Sequence, residues 1–85
     1  METKIIKFFT LNDIRDYLNI VSNYPNITID MKIGSYIIDG KSYLGIISIG
    51  LYKDIYITFS DFDESLYQKL NKFFIGGKKN EWFYD

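Results

Sequence analysis

The sequence predicts an α+β fold, a two-layer open-faced sandwich in which helices cover one face of a four-stranded antiparallel sheet. Several segments alternate apolar and polar residues, as half-buried strands do. Others repeat apolar residues at i, i+3, i+4 and i+7, the spacing of one helix face. The predicted order of the elements is β-α-β-β-α-β-α, and helices mixed with antiparallel strands in this way favour two packed layers.

Composition limits both size and function. With 85 residues, the chain is predicted to form one domain, residues 1–85, with a modest core. Its net charge of -1, with Lys and Arg scattered along it, predicts no basic surface for direct nucleic-acid binding. No apolar run has the length of a signal peptide or a membrane helix, so we expect a cytoplasmic protein that does not bind membranes.

Two missing residue types restrict the chemistry further. The chain contains neither His nor Cys, which excludes the zinc sites and the Ser-His-Asp and Cys-His centres built from them. Any catalysis would depend on Asp, Glu, Lys, Tyr or Ser. The clustered Asp61, Asp63 and Glu64 lie where a helix is predicted to begin, a position that acidic side chains commonly occupy. We therefore expect no enzymatic activity, no cofactor and no metal.

The first strand and helix are predicted within residues 3–24. Residues 3–9, TKIIKFF, are rich in β-branched and aromatic residues, which favour a strand. Asn12 or Asp13 is predicted to cap the following helix, since a short polar side chain can accept hydrogen bonds from the first turn. The helix is expected to end before Pro25, which disfavours a helical conformation in the residue preceding it. Its core-facing stripe comprises Ile14, Tyr17, Leu18 and Val21.

A second strand and its hairpin partner follow. Residues 26–33, NITIDMKI, alternate apolar and polar side chains, as a strand with one buried and one solvated face does. Gly34-Ser35 is predicted to turn the chain into a short strand over residues 36–38, which pairs with the previous strand. The predicted core-facing residues of the longer strand are Ile27, Ile29, Met31 and Ile33.

The second helix is predicted over residues 42–52. Its apolar residues lie on all sides, so part of it must face the core and part is expected to remain as exposed apolar surface. The strand after it, residues 54–60, is predicted to direct Ile55, Ile57 and Phe59 towards the core.

The final helix is predicted from a capping pattern and an apolar stripe. Asp61 followed by Glu64 resembles a capping box, and Gly76 is predicted to terminate the helix. Residues 76–85 form an aromatic C-terminal tail, whose Trp82-Phe83-Tyr84 run is predicted either to pack back on the sheet or to join two copies as a homodimer. The stripe comprises Leu66, Leu70, Phe73 and Phe74.

Gly40-Lys41-Ser42 matches the end of a nucleotide-binding P-loop, but the spacing excludes that motif. The P-loop requires a glycine at position 35, which is Ser35 here, and Gly34 is one residue too far away. A chain of 85 residues is also too short for a complete NTPase domain.

Residues 41–50, KSYLGIISIG, resemble a segment of the HPr phosphocarrier family. In that family a Lys-Ser pair precedes a short helix, with glycines three and eight residues after the serine. Here Ser42 is followed by Gly45 and Gly50. The continuation, LYKDIYITFSD, is similar to the family's final strand and the lysine before it. The resemblance is close over residues 41–61 and otherwise depends on element order, and it implies an HPr-like fold.

The loop that carries phosphate in that family is missing. There, a Gly-x-His-Ala-Arg-Pro-like loop after the first strand holds the phosphoryl-accepting histidine. Here the junction is residues 10–15, TLNDIR, which is shorter and has no Gly, His or Pro. Phosphoryl transfer through imidazole is thus excluded. Asp13 could accept phosphate only beside a magnesium site, which nothing in the sequence marks, and Arg15 is interpreted as an ordinary solvated residue.

By the same resemblance, Ser42 is the candidate phosphorylation site. The family's serine at this position is regulatory, and histidine-less relatives resemble co-regulators of sugar-repression transcription factors. A serine that opens a helix also suits an anion, because free N–H groups and the helix dipole favour negative charge there. The ordinary alternative is that Ser42 is only an N-cap and that the two glycines permit close packing of helix on sheet. The residues expected to bind a partner are Lys41, Tyr43, Leu44 and Ile47.

The resemblance implies a non-catalytic, regulatory protein-binding module of the sugar phosphotransferase and catabolite-regulation type. Its partner would be a serine kinase or a transcription regulator. The alternative is a small-ligand-binding regulatory domain of ferredoxin-like topology, since such modules share the order β-α-β-β-α-β. The short, glycine-punctuated second helix favours the first interpretation.

Overall fold

The computed structural model describes residues 3–75, which form one sheet and three α-helices. The sheet is antiparallel throughout, with the strand order β3-β2-β4-β1-β5. The predicted α+β class is confirmed, whereas the prediction of four strands is wrong because a fifth is present. In chain order the elements are β1 (Thr3–Ile6), α1 (Leu11–Val21), β2 (Ile29–Ile33), β3 (Tyr36–Asp39), α2 (Tyr43–Ile49), β4 (Ile55–Phe59), α3 (Glu64–Leu70), a 3-10 turn (Asn71–Phe73) and β5 (Phe74–Ile75).

The fifth strand forms because the final helix ends earlier than its apolar stripe suggests. α3 ends at Leu70, and the 3-10 turn then carries the Phe73 ring into the core. Phe74 leaves the helical path and begins β5, which pairs with the edge of β1. This pairing satisfies backbone groups that β1 would otherwise leave open. The prediction of a helix that continues to Gly76 is therefore wrong, and Gly76 itself lies outside the described residues.

One face of the sheet and the inner sides of the helices form a single apolar core. Along β2 and β4 buried residues alternate with more exposed ones, so the helices cover only one face of the sheet. Each such buried aliphatic side chain stabilises the fold by roughly 1.5–3 kcal/mol relative to an exposed one. The largest fully buried side chains are Tyr17, Phe8, Phe59, Ile6, Ile14, Ile29, Met31, Ile46, Ile55, Ile57, Leu66 and Leu70.

The helix caps differ from those predicted for α1 and α3. Thr10 caps α1: its Oγ1 accepts a hydrogen bond from the Asp13 N–H at 3.1 Å, and the Asp13 carboxylate accepts one from the Thr10 N–H at 3.2 Å. Asp13 thus closes a capping box instead of serving as the N-cap itself. Asp63, not Asp61, caps α3 by accepting the Leu66 N–H at 3.0 Å.

Several elements are shorter than the sequence patterns suggest. β1 ends at Ile6, which pairs with Ile55, the first residue of its antiparallel partner β4. α2 ends at Ile49, because Gly50 adopts a φ of 93° that breaks the helix. Residues 26–28 precede β2 and are not part of it, because the chain turns over residues 24–27, where the Ile27 N–H donates to the carbonyl of Tyr24. Among residues 3–75, no helix combines the length and apolarity that crossing a membrane requires.

A buried hydrogen bond joins α1 to the connection between β3 and α2. The Tyr17 hydroxyl donates to the Gly40 carbonyl at 2.7 Å, and the Gly40 N–H donates to the Ile29 carbonyl at 2.7 Å. A Cβ at position 40 would lie 2.5 Å from Ile29 Cγ2 and 2.9 Å from its carbonyl oxygen, so this close approach requires glycine. Burial raises the pKa of the Tyr17 phenol far above its ordinary value, and nearby Asp39 adds to the shift.

We predict that Tyr17→Phe lowers the free energy of unfolding by about 1–3 kcal/mol, because it leaves the buried Gly40 carbonyl without its donor. Urea denaturation at neutral pH measures this change. The exposed Tyr36→Phe provides a matched control that removes a phenolic hydroxyl at the surface, and its stability should stay close to that of the wild type.

The pH dependence gives a second test of the same bond. Because the pKa of Tyr17 is higher in the folded chain than in the unfolded chain, its contribution to stability is fully present below about pH 10 and is lost above that value. Tyr17→Phe lacks this contribution, so the stability difference between the two proteins should narrow above about pH 10. If the stability difference between wild type and Tyr17→Phe does not change above about pH 10, the hydrogen bond from Tyr17 to Gly40 does not stabilise the fold as proposed.

Candidate functional site

The candidate site is the start of α2, where Ser42 is the N-cap. Its Oγ accepts a hydrogen bond from the Gly45 N–H at 3.1 Å, and its carbonyl accepts the Ile46 N–H at 3.0 Å. The Ser42 side chain is therefore the first acceptor for the free N–H groups of the helix, as the sequence predicts. Ser42 is half-buried, so its hydroxyl lies at the boundary between the fold and solvent.

Lys41 does not point towards Ser42 as a ready partner for an anion. Its Nζ donates to the carbonyl of Tyr24 at 2.7 Å, at the end of the turn that follows α1. Its backbone N–H donates to the Asp39 carboxylate at 3.0 Å. Lys41 therefore fixes the connection between β3 and α2, and it would have to leave the Tyr24 carbonyl to reach a phosphate on Ser42.

The predicted partner-binding residues of α2 fall into two groups. Leu44 is 77% exposed and Tyr43 is 52% exposed, so both present their side chains to solvent. Ile47 is half-buried and packs against the core, while Ile46 is fully buried and anchors the helix. The result is a small apolar surface at the start of α2, here called the α2 surface, formed by Tyr43 and Leu44 with Ile47 at its base.

Both glycines of the segment have structural roles. A Cβ on Gly45 would lie 2.6 Å from Ile38 Cγ2, so glycine lets α2 pack closely on β3. Gly50 has open space around it but adopts the positive φ that ends the helix. The interpretation that these glycines serve packing and helix termination is thus consistent with the structure, whatever further role the segment has.

Sequence reasoning missed a second apolar region beside α2. Tyr36 is 72% exposed and Ile37 is 69% exposed on the edge strand β3. An open groove of about 620 Å3 lies between this hairpin and the end of α2, lined by residues that include Ile33, Ile38 and Ile49. One signal was available, because consecutive apolar residues in a short strand cannot both face the core.

Two of the acidic residues weighed for chemistry, Asp13 and Asp63, have structural partners. The Asp13 carboxylate accepts the N–H groups of Phe9 and Thr10 in the cap of α1. Hydrogen bonds from the Ser65 hydroxyl and the Leu66 N–H hold the pKa of Asp63 below its ordinary value. Within the described part of the chain, no three acidic side chains are grouped to hold a metal ion. The Trp82-Phe83-Tyr84 run lies outside the described residues.

We predict that Ser42→Ala lowers the free energy of unfolding by about 1 kcal/mol, because it removes the acceptor for the Gly45 N–H. Ser48→Ala on the same helix is the matched control. Ser48 donates to the Gly45 carbonyl, which the helix can satisfy with water, so its loss should change stability by no more than about 0.5 kcal/mol. Equal effects of the two substitutions in urea denaturation would contradict the capping role.

The comparisons with known proteins identify no relative from which a function could be inferred. The resemblance of residues 41–61 to the HPr family stays a prediction from those residues alone. The chain matches no protein-family model, and no curated protein or solved structure is significantly similar to it.

Proposed function

We propose that this chain is a non-catalytic, HPr-like regulatory module that binds a protein partner through the α2 surface. The observation that carries the proposal is the exposure of Leu44, the most exposed large apolar side chain among the described residues. It lies beside the exposed Tyr43 on a helix anchored by the buried Ile46. A rigidly held apolar pair of this kind is typical of a protein contact that excludes water.

The order of the elements supports the HPr-like assignment. From β1 to α3 the chain follows β-α-β-β-α-β-α, the order that the resemblance implies. The segment that resembles the family lies at an exposed helix start, with Ser42 at the N-cap. The junction before α1 is occupied by the Thr10 and Asp13 capping box, which supports a module without phosphoryl transfer.

Phosphorylation at Ser42 is the proposed control. A phosphoryl group would add about 1.5 to 2 negative charges next to the α2 surface, together with three acceptor oxygens for the free N–H groups of the helix. Asp39, the last residue of β3, is close, and its carboxylate accepts the Lys41 N–H. The phosphorylated surface would therefore be strongly anionic. It would bind a partner with a complementary cationic surface, such as a transcription regulator, only after a serine kinase has modified Ser42.

We predict that incubation with the family's serine kinase and ATP adds one phosphate to Ser42. Mass spectrometry of the intact chain and of its peptides measures the addition. Ser42→Ala should abolish it, whereas Ser48→Ala, on the same helix and exposed, should leave it unchanged. If a standard substrate is phosphorylated and this chain is not, control by this kinase is excluded.

The contact itself is tested by substitution on the α2 surface. We predict that Leu44→Ser weakens partner binding by about tenfold or more, since it removes an exposed apolar anchor worth at least 1.4 kcal/mol. Pull-downs from the native cell with wild type and Ser42→Asp as baits would identify the partner, and titration calorimetry with that partner would then measure the affinities. Phe62→Ser removes another largely exposed apolar side chain, before α3, and should bind as the wild type does.

A small-ligand-binding regulatory domain is the second candidate, and the groove between β3 and α2 favours it. The ferredoxin-like topology expected for this alternative is wrong, because β1 pairs with β4 and β5 and not with β3. This groove is apolar along Ile33 and Ile38, with Ser48 as a polar group at its rim. A thermal-shift screen against amino acids and sugar phosphates separates the two candidates. A ligand that raises the melting temperature of the wild type but not of Ser48→Ala would favour the ligand-binding domain. Binding of a protein partner that depends on Leu44 would favour the protein-binding module.

A further inference from the structure

The outer edge of β3 carries backbone hydrogen-bonding groups that the described fold does not use. The strand order places β3 at one end of the sheet, where Ile38 pairs with Met31 of β2. Two residues further on, the Gly40 N–H donates to the Ile29 carbonyl, so alternate residues of β3 bond to β2. The N–H and C=O of Ile37 lie between these positions and point outwards, and no other part of the described chain bonds to them.

This edge lacks the features that usually protect edge strands. Such strands commonly carry Lys, Pro or a bulge, each of which hinders pairing with another chain. β3 has the sequence YIID and pairs with β2 without interruption. Tyr36 is 72% exposed and Ile37 is 69% exposed, and the one charged side chain, Asp39, accepts the Lys41 N–H. The edge is therefore available for pairing with a further strand.

The helix side of the same edge carries both a projecting ring and a groove. Ile38 lies on this side, because it is opposite the fully buried Met31. Tyr36, two residues earlier in the strand, lies on the same side. The open groove of about 620 Å3 lies beside Ile38, between β3 and the Ile49 end of α2. β3 thus presents a large exposed ring and an apolar groove next to each other.

We propose that β3 pairs with β3 of a second copy of this chain, antiparallel and centred on Ile37. The two Ile37 residues would then exchange their outward N–H and C=O groups, and Tyr36 of each copy would lie opposite Ile38 of the other. Side chains opposite each other are about 4.5–5.5 Å apart at Cβ, so each ring enters the groove of the other copy. The chain supplies both the ring and the groove, which is why a second copy fits this edge. The pairing uses β3 of both copies, so it closes as a two-fold dimer.

The charges on the edge favour this register. Each Asp39 would lie opposite the uncharged Ser35 of the other copy, whose hydroxyl can donate to the carboxylate. The two Asp39 residues would be four positions apart along the paired strands, roughly 14 Å, and charges that far apart at the surface are largely screened. A register shifted by two residues towards Asp39 would instead require the Asp39 carbonyl, which already accepts the Ser42 N–H.

The proposed dimer goes beyond the function proposed above. Its contacts do not include Tyr43 or Leu44 of the α2 surface, so it does not depend on the partner contact there. The Tyr36 ring of the second copy would occupy the groove that the small-ligand candidate requires.

Sedimentation velocity of the full chain over a range of concentrations tests the dimer, and we expect a reversible equilibrium between monomer and dimer. Ile37→Pro removes the outward N–H, and proline is tolerated in edge strands where that group faces solvent. It should weaken dimerisation by at least about tenfold. Ile37→Val keeps the N–H and a β-branched side chain, so this control should dimerise as the wild type does. Far-UV circular dichroism checks that each variant is folded.

Cysteine cross-linking locates the contact, because the chain contains no cysteine. Two residues that form a hydrogen-bonded antiparallel pair have Cα atoms about 5.5 Å apart, within the range of a disulfide. Under mild oxidation, Ile37→Cys should form a covalent dimer at least about tenfold faster than Phe62→Cys. Phe62 is the matched control, since both side chains are 69% exposed. Adding Tyr36→Ser to Ile37→Cys should slow the reaction, because it removes the ring from the groove.

Two results would overturn the proposal. The first is a chain that stays monomeric at every concentration while Ile37→Cys and Phe62→Cys cross-link at equal rates. The second is a dimer that forms equally well in folded Ile37→Pro, which would place the contact on another surface. If Ile37→Pro does not fold, the cross-linking comparison decides.

Discussion

The hydrogen bond from the Tyr17 hydroxyl to the Gly40 carbonyl positions the candidate site. It joins α1 to the chain immediately before α2, in a core that contains no buried charged side chain among the described residues. Gly40 is also bound to β2, because its N–H donates to the Ile29 carbonyl. A buried polar contact in apolar surroundings is satisfied by one arrangement only, so it fixes where α2 begins. The exposed side chains on α2 are therefore presented by a rigid frame.

The periodic elements were predictable because their signal is local, while their ends were not. The stripe containing Ile14 and Tyr17 and the alternation through Met31 follow from a single buried face. The cap of α1 could not be chosen from sequence, since Thr10 and Asp13 both offer oxygen acceptors and only backbone geometry assigns their roles. β5 was beyond prediction for another reason: two residues form a strand only because the distant β1 offers them an edge.

The site shows the same division between local and distant causes. Ser42 lies where the sequence placed it, because a cap depends on its own helix. The hydrogen bond from Lys41 to the Tyr24 carbonyl joins residues that are seventeen positions apart in the sequence, so no local pattern predicts it. Gly45 and Gly50 are required by packing and by helix termination. The two glycines that suggest the HPr family are thus explained by folding alone. A residue that folding requires is weaker evidence for a functional role than an exposed residue that folding does not require.

Leu44 is an exposed residue that folding does not require. Its exposed side chain contributes little to the core, so folding does not explain a leucine at this position, and a polar residue would increase solubility. The same reasoning applies to Tyr56 on the opposite side of the sheet, where the central strand β4 faces solvent with a ring instead of a charge. A two-layer domain covers one sheet face with helices and leaves the other open. The apolar residues on both uncovered surfaces point to contacts that the described fold does not itself supply, and we expect the function of the protein to depend on these contacts.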